Sequence, residues 1–259
     1  MNNVQKQYLL NTISAAKRGD GRGLEDFRKM EIETGVIYKA EGSARVRFGK
    51  TEVIAGVKMD VGTPFPDTPD DGVMMVNSEF SPMASPKFET GPPREPSIEL
   101  SRVVDRGIRE SKTIDTKKLC IKKGEKVWMV FVDIYIINHD GNLIDAAALA
   151  TVAALHSAKM PEYDAKTEKP NFDKKTKKLP LSCKPITVTV HKIGENFIID
   201  PTLEEESITE ARFTVATNDK GNLCAIQKGG VTSLTTDEIY KAFDLSVKKG
   251  KDLRKLIKG

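Results

Sequence analysis

Apolar residues recur along the chain at spacings that separate strands from helices. The clearest strand covers 126–138, where Trp128 and Val130 belong to one face and Phe131 and Tyr135 to the other. A strand that is apolar on both faces lies inside a covered sheet or at a subunit interface. This segment is therefore predicted to be central to the fold.

Shorter periodic runs predict the remaining elements. Alternating apolar residues predict strands at 29–39, 43–48, 51–57, 73–80, 186–192, 196–199, 211–217 and 222–227. Helical spacing predicts helices at 3–17, 96–111 and 145–158, and a last one from Thr235 onward. Thr235 and Glu238 fit a capping box, in which each side chain accepts a free backbone N–H at the helix start. Mixed strands and helices of this kind predict an α+β fold.

The two halves of the chain share a plan of strands followed by a helix, which indicates a duplicated unit. Between them, 159–185 is rich in lysine and holds four prolines, so we predict a linker there. We therefore expect an N-terminal helix with a basic loop (1–28), a first domain (29–158), the linker, and a second domain with a C-terminal helix (186–259).

Composition narrows the chemistry. The net charge of +4 is mildly basic, below that of a stand-alone nucleic-acid binder, so any charge that binds RNA must be local. Three cysteines without a C-x-x-C motif and three scattered histidines argue against a disulfide framework and a zinc site. We expect no cofactor and no metal. No apolar run is long enough to span a membrane, so we predict a protein of the reducing cytoplasm.

Four motifs follow one another over 18–230. The first motif is Arg18-Gly19-Asp20-Gly21-Arg22, followed by Arg28. The second covers 42–53 and the third covers 99–106. The fourth is the long strand, the turn at Asp140-Gly141 and the helix after it. Their order and spacing resemble the RNase PH family of phosphate-dependent exoribonucleases. The resemblance implies duplicated βαβα units, with helices packed on mixed sheets, that assemble into a ring.

Within that family the chain is most similar to the inactive ring subunit of the archaeal exosome. The run 61–69, taken together with 99–106, carries this finer resemblance. It implies a hexameric ring of three heterodimers with a catalytic paralogue, topped by RNA-binding cap subunits. The complex would degrade RNA from 3′ to 5′, and this chain would structure the partner's active site and help to bind RNA without being an enzyme itself.

The turn after the long strand is where active relatives bind phosphate, with a sequence close to Asp-Gly-Gly-Thr-Arg. Small residues, a helix N-terminus and an arginine suit an anion there. This chain has Asn142, Leu143, Ile144 and Asp145 instead. Asp145 is expected at the N-cap, where its carboxylate would take the free N–H groups and repel phosphate. The turn is therefore predicted to be a degenerate phosphate site.

A second part of the family's site is also altered. Active relatives carry two aspartates six residues apart in the second half, and the matching positions here are Glu206 and Arg212. Arginine cannot act as a general base, because its pKa is above ~12. We therefore predict no catalytic residue in this chain.

Three arginines remain as the candidate RNA contact. Arg102, Arg106 and Arg109 share one face of the predicted helix 96–111. Each guanidinium can take a phosphate through two parallel hydrogen bonds. The alternative is that this face pairs with Asp105 and Glu110, or contacts the partner subunit.

Other charged runs are interpreted as structural. The arginines of 18–22 are expected to anchor a turn, and the acidic run 204–206 is expected to be a solvated loop. Two other functions stay open at this stage. One is that the chain is itself an active phosphate-dependent 3′-to-5′ exoribonuclease, and the other is a scaffold of the same fold that binds no RNA.

Overall fold

A six-stranded mixed sheet forms the first half of the computed structural model, which describes residues 2–257. Residue 1 and residues 258–259, the outer ends of the first and last predicted segments, lie outside the described residues. The strands run in the order β1-β2-β3-β6-β4, with β5 pairing on β6. The pairing of β4 with β6 is parallel and the others are antiparallel. The strand bounds are β1 Met30–Thr34, β2 Gly42–Phe48, β3 Thr51–Gly62, β4 Val73–Phe80, β5 Cys120–Lys122 and β6 Lys126–Asn138.

The first part of the chain also forms three helices: α1 (Asn3–Ser14), α2 (Glu95–Glu110) and α3 (Leu143–Ser157). Leu9 and Ile13 of α1 pack against Ile193 and Ile198 of the second half. The alanine-rich α3 is buried on every side between residues 143 and 155, and it packs on β2, β3 and β9. Its small side chains let strands come close, because a Cβ on Gly42 would lie 2.4 Å from the carbonyl oxygen of Ala154. The helix is thus the central layer between the two halves.

A four-stranded antiparallel sheet with the order β10-β9-β11-β12 forms the second half. Its elements are β9 Ile186–Ile193, β10 Asn196–Ile199, the short helix α4 Leu203–Glu206, β11 Ala211–Thr217, β12 Leu223–Gly230 and α5 Thr236–Arg254. The predicted capping box at Thr235 and Glu238 is present. Buried side chains from both halves form one core, so the α+β class predicted from the sequence is confirmed.

The central strand matches its prediction over 126–138. Its inner face is buried, as Val130 and Ile134 show, whereas Tyr135 on the outer face is 44% exposed. One predicted strand is shorter than expected, since β1 ends where Gly35 adopts a φ of 75°. Within residues 2–257, no helix combines the length and apolar character that a membrane crossing needs.

The sequence predicted a linker at 159–185, and this prediction is wrong for the conformation of most of the segment. Most of the segment is a two-stranded antiparallel hairpin of β7 (Lys159–Asp164) and β8 (Lys169–Lys178). Pro161 is tolerated because it lies where the register of the two strands shifts, so the missing N–H breaks no regular ladder. The division of the chain into two domains around this segment stays a prediction.

Candidate functional site

The turn between β6 and α3 is closed by protein groups. Asn142 is the N-cap residue, with a left-handed backbone at φ 54° and ψ 45°, and its side-chain N–H₂ donates to Asp200 Oδ1 at 3.0 Å. Leu143 and Ile144 are buried. At Gly141, which has a φ of 88°, a Cβ would lie 2.3 Å from the carbonyl oxygen of Pro201. Backbone therefore packs directly against one side of the turn.

The arginines nearest to this turn are paired with an internal carboxylate. Arg28 donates from Nε and Nη2 to the two oxygens of Asp200 at 2.9 and 2.7 Å, and Arg22 Nη1 lies 3.1 Å from Asp200 Oδ2. Arg28 also donates to the carbonyl oxygens of Asp140 and Gly141 at 2.6 and 3.3 Å. Burial alone would raise the pKa of Asp200, but Arg28 outweighs it and holds the pKa below its usual range. Arg28 is thus committed within the protein. Arg22 is paired with Asp200, but its buried Nη2 has no hydrogen-bond partner within residues 2–257.

Asp145 is not the N-cap that the sequence predicted. The helix begins at Leu143, which places Asp145 in the first turn and directs it at β9. Its carboxylate is fully buried and accepts hydrogen bonds from Thr189 Oγ1 at 2.7 Å and Thr189 N at 3.0 Å. Burial raises the pKa of Asp145 to about 7 despite these hydrogen bonds. The predicted N-cap position is therefore wrong, and the residue joins α3 to the second sheet. The repulsion of phosphate by this residue stays a prediction.

The raised pKa makes a pH-dependent contribution to stability. Between the unfolded pKa of about 3.9 and the folded pKa of about 7, the folded chain binds more proton at Asp145, so stability falls as pH rises. Asp145→Asn mimics the protonated acid and is expected to remove that slope. We therefore compare the two free energies of unfolding. The difference, variant minus original chain, should increase by up to about 4 kcal/mol from pH 4 to pH 8. Urea denaturation across that range measures it, and a constant difference would contradict the assignment.

The two residues that the sequence predicts at the positions of the family's aspartates, Glu206 and Arg212, lie together beside the turn. Glu206 is the last residue of α4, and burial raises its pKa, an effect offset in part by Arg212 and by the backbone N–H of Asn142. Arg212 lies on β11 and forms an ion pair with Glu99 of α2. Its Nε is buried and has no hydrogen-bond partner within residues 2–257. The second of the two predicted positions thus has a cation, and its equivalence to a catalytic aspartate stays a prediction.

The three predicted arginines lie exposed along α2 and line a groove of about 340 Å³ beside the start of β4. Arg109 pairs with Asp105 at 2.7 Å and donates to the carbonyl oxygen of Met74 at 3.1 Å. Arg106 donates to Gln227 Oε1 at 3.0 Å. Arg102 makes no hydrogen bond or ion pair within the described residues. The alternative of pairing along the helix thus applies to Arg109, and we call the three residues the arginine surface.

The arginines of 18–22 anchor a turn, as predicted. Arg18 is buried, forms an ion pair with Glu205, and donates to the carbonyl oxygens of Ile199 and Asp200 at 2.9 and 2.8 Å. This pairing contradicts the prediction of a solvated acidic run at 204–206, because Glu205 is only 3% exposed. In the part of the chain that the structure describes, no cluster of His, Cys, Asp and Glu has the arrangement of a metal site.

Sequence reasoning missed two residues that organise the site. Asp200 collects Arg22, Arg28 and Asn142, yet its only local sign is its position at the end of β10. Gln227 is the other, because its contact with Arg106 joins residues 121 positions apart. Arg28 belongs to the first of the four motifs, but its pairing with Asp200 was not predicted.

Comparisons with known proteins agree on one family. A model described as "3′ exoribonuclease family, domain 1" matches residues 26–161, and one described as "3′ exoribonuclease family, domain 2" matches residues 183–249. The chain is 47% identical to exosome complex component Rrp42 of Methanosarcina acetivorans over 98% of this chain and 93% of that protein. It is 50% identical to the Rrp42 of Methanothermobacter thermautotrophicus over 95% and 91%.

Solved structures give the same result at the level of the backbone. A chain of the Archaeoglobus fulgidus exosome with RNA bound to the active site matches with a TM-score of 0.92 at 46% identity, covering 99% of this chain and 98% of that one. A chain of an archaeal exosome core matches with a TM-score of 0.88 at 43% identity, covering 99% and 97%.

Proposed function

The chain belongs to the RNase PH family of 3′ exoribonucleases, and we propose that it is the non-catalytic subunit of an archaeal exosome core ring. Its partner in each heterodimer would be a catalytic paralogue of the same family, and three heterodimers would form the ring under RNA-binding cap subunits. The Rrp42 names of its relatives and the exosome chains that match its backbone support this assignment. The three free cysteines suit the reducing cytoplasm.

The observation that carries the proposal is the closed turn at the start of α3. Phosphorolysis needs inorganic phosphate held by free backbone N–H groups and a cation. Leu143 and Ile144 point into the protein instead, and Asn142 and Arg28 are bound to the internal carboxylate of Asp200. Arg28, the cation that contacts the backbone of the turn, is therefore engaged within the protein and is not available to phosphate.

The acid–base part of the reaction also lacks its group. Arg212 carries a guanidinium group, which is not a general base, and it is paired with Glu99. Glu206 retains a carboxylate, but a single, partly buried acid beside an arginine does not supply the pair of aspartates that active relatives carry. We infer that the chain performs no bond cleavage.

The positive contribution of the chain is RNA binding by the arginine surface. Arg102, Arg106 and Arg109 are exposed on one helix face, and arginine suits the planar, two-oxygen edge of a phosphate. Contacts with the sugar–phosphate backbone carry no base information, so binding would be independent of sequence. In the ring this surface would hold the RNA in register for the partner's active site.

Phosphate titration tests the closed turn directly. We expect the purified chain to show no saturable binding of inorganic phosphate at millimolar concentration, either by calorimetry or in the amide resonances of 142–145. The catalytic paralogue, titrated in the same way, is the positive control. Saturable binding with shifts confined to those amides would refute the proposal.

A further inference from the structure

A second cationic groove lies outside the candidate site. It has a volume of about 500 Å³ and lies between the β7–β8 hairpin and the short 3-10 helix Thr116–Leu119. Trp128 and Tyr163 are among its lining residues, with ring centroids 6.4 Å apart and planes at 79°. Trp128 is 5% exposed and supports Tyr163, which is only partly buried. The groove therefore has an aromatic side chain to offer a ligand.

The cations of this groove are poorly compensated. Lys118, Lys177 and Lys178 line it and are exposed, and only Lys118 has an ion-pair partner within the described residues, Asp115 at 3.0 Å. Glu162 is the one acidic residue among the described lining residues, and it accepts a hydrogen bond from Thr176. The lining thus carries more positive than negative charge.

The strand register adds a cost that an anion would relieve. Lys178 stands directly opposite Lys159 in the β7–β8 ladder. Like charges at opposing positions destabilise a pair of strands. A negatively charged ligand lying beside the two lysines would offset this repulsion.

The chain between α2 and the groove is also basic. It passes from Arg109 through Lys112 and Lys117 to Lys118. Both ends of this segment are fixed beside the start of β4, through Arg109 Nη2 to the carbonyl oxygen of Met74 at 3.1 Å and Gly72 N to that of Thr116 at 2.9 Å. Exposed cations thus lead from the arginine surface to the groove.

We propose that this groove is a second contact for single-stranded RNA, which it takes by the phosphate backbone with Tyr163 available for base stacking. A positively charged groove combined with an aromatic ring is the arrangement that binds single strands without sequence preference. An acidic protein segment could pair with the lysines, but it would not require a ring such as Tyr163 for stacking. The inference rests on the proposed function in one respect, namely that the ring's substrate is RNA.

The test uses the ring assembled with its catalytic paralogue. In Lys177→Glu/Lys178→Glu we expect binding of RNA of about 30 nucleotides to weaken about tenfold, and the salt slope to fall by about 1.4, because two phosphate contacts are lost. RNA of about 10 nucleotides, which the arginine surface alone can hold, should bind as before. Fluorescence anisotropy at several salt concentrations measures both quantities. Lys166→Glu/Lys174→Glu is the matched control on the same hairpin and should leave both RNAs unaffected.

Three results would overturn the inference. One is unchanged affinity for the long RNA, and a second is an equal loss in the control variant. The third is full RNA binding combined with loss of a cap subunit from the ring, which would make the groove a protein contact. Failure of the proposed function is distinguishable, since substitutions on the arginine surface would then leave the binding of short RNA intact.

Discussion

RNA binding by the assembled ring is expected to weaken by about 10²- to 10³-fold when the arginine surface is reversed in charge by Arg102→Glu/Arg106→Glu/Arg109→Glu. A net hydrogen bond at an exposed position contributes about 1–1.5 kcal/mol. The loss of three such contacts, about 3–4.5 kcal/mol, corresponds to a change in affinity of this size. Because each phosphate contact releases counterions from a single strand, the salt slope should also fall by about 2. Anisotropy with labelled single-stranded RNA measures the affinity, and the degradation rate below saturation should fall in parallel.

The matched control changes the same charge on another helix. Lys241→Glu/Lys251→Glu/Lys255→Glu, on α5 and its C-cap residue, replaces three exposed lysines and should leave RNA affinity within about twofold of the unmodified ring.

Single substitutions to alanine should weaken RNA binding most at the arginine with the fewest partners within the protein. We expect the largest loss at Arg102, which has no partner within residues 2–257, and the smallest at Arg109, which pairs with Asp105. Equal affinity for the triple variant and the original ring would remove RNA binding from this surface.

Arg28→Met is expected to lower the free energy of unfolding by about 3–5 kcal/mol, the range for breaking a buried ion pair. The substitution keeps most of the apolar volume but leaves the buried carboxylate of Asp200 without its main partner. It also removes the donor that the carbonyl oxygens of Asp140 and Gly141 accept from. Urea or thermal denaturation of the purified chain measures the loss.

Two further variants distinguish the loss of the Arg28–Asp200 ion pair from the loss of a positive charge in general. Lys29→Met removes the neighbouring cation, whose side chain is 84% exposed, and should change stability by less than about 0.5 kcal/mol. A double-mutant cycle of Arg28→Met with Asp200→Asn should show coupling above about 1.5 kcal/mol, because the neutral amide no longer needs the arginine. A loss below about 1 kcal/mol in Arg28→Met would show that the pair does not hold the turn closed.

Local patterns explain which parts of the fold could be predicted. The strand 126–138 and the capping box at Thr235 depend on residues close together in sequence, and both are confirmed. The hairpin at 159–178 was missed because the prolines and lysines of 159–185 suggest a linker. Its strands form only because β7 and β8 pair with each other at a register shift, which composition does not reveal.

The site divides in the same way. The arginine surface follows from helical spacing, so the sequence was sufficient to bring Arg102, Arg106 and Arg109 together. The ion pair of Arg28 with Asp200 joins residues 172 positions apart, and no local pattern predicts it. The position of Asp145 was misjudged for a related reason, because its partner Thr189 belongs to the second sheet. The roles of these residues in RNA binding and in the loss of catalysis stay predictions.

The closed turn and the arginine surface together amount to a division of labour. The partner would bind phosphate and attack the 3′-terminal phosphodiester, while this chain holds the preceding nucleotides. The buried α3 and the central strand β6 would keep that surface rigid, because both are fixed in the common core of the two halves.

Reconstitution tests the central claim most directly. Release of nucleoside diphosphates from poly(A) in phosphate buffer should be followed for this chain alone, for the catalytic paralogue alone, and for the assembled ring. We predict no release by this chain, and a higher rate for the ring than for the paralogue alone. Phosphate-dependent release by the purified chain at a rate comparable to that of the ring would contradict the account.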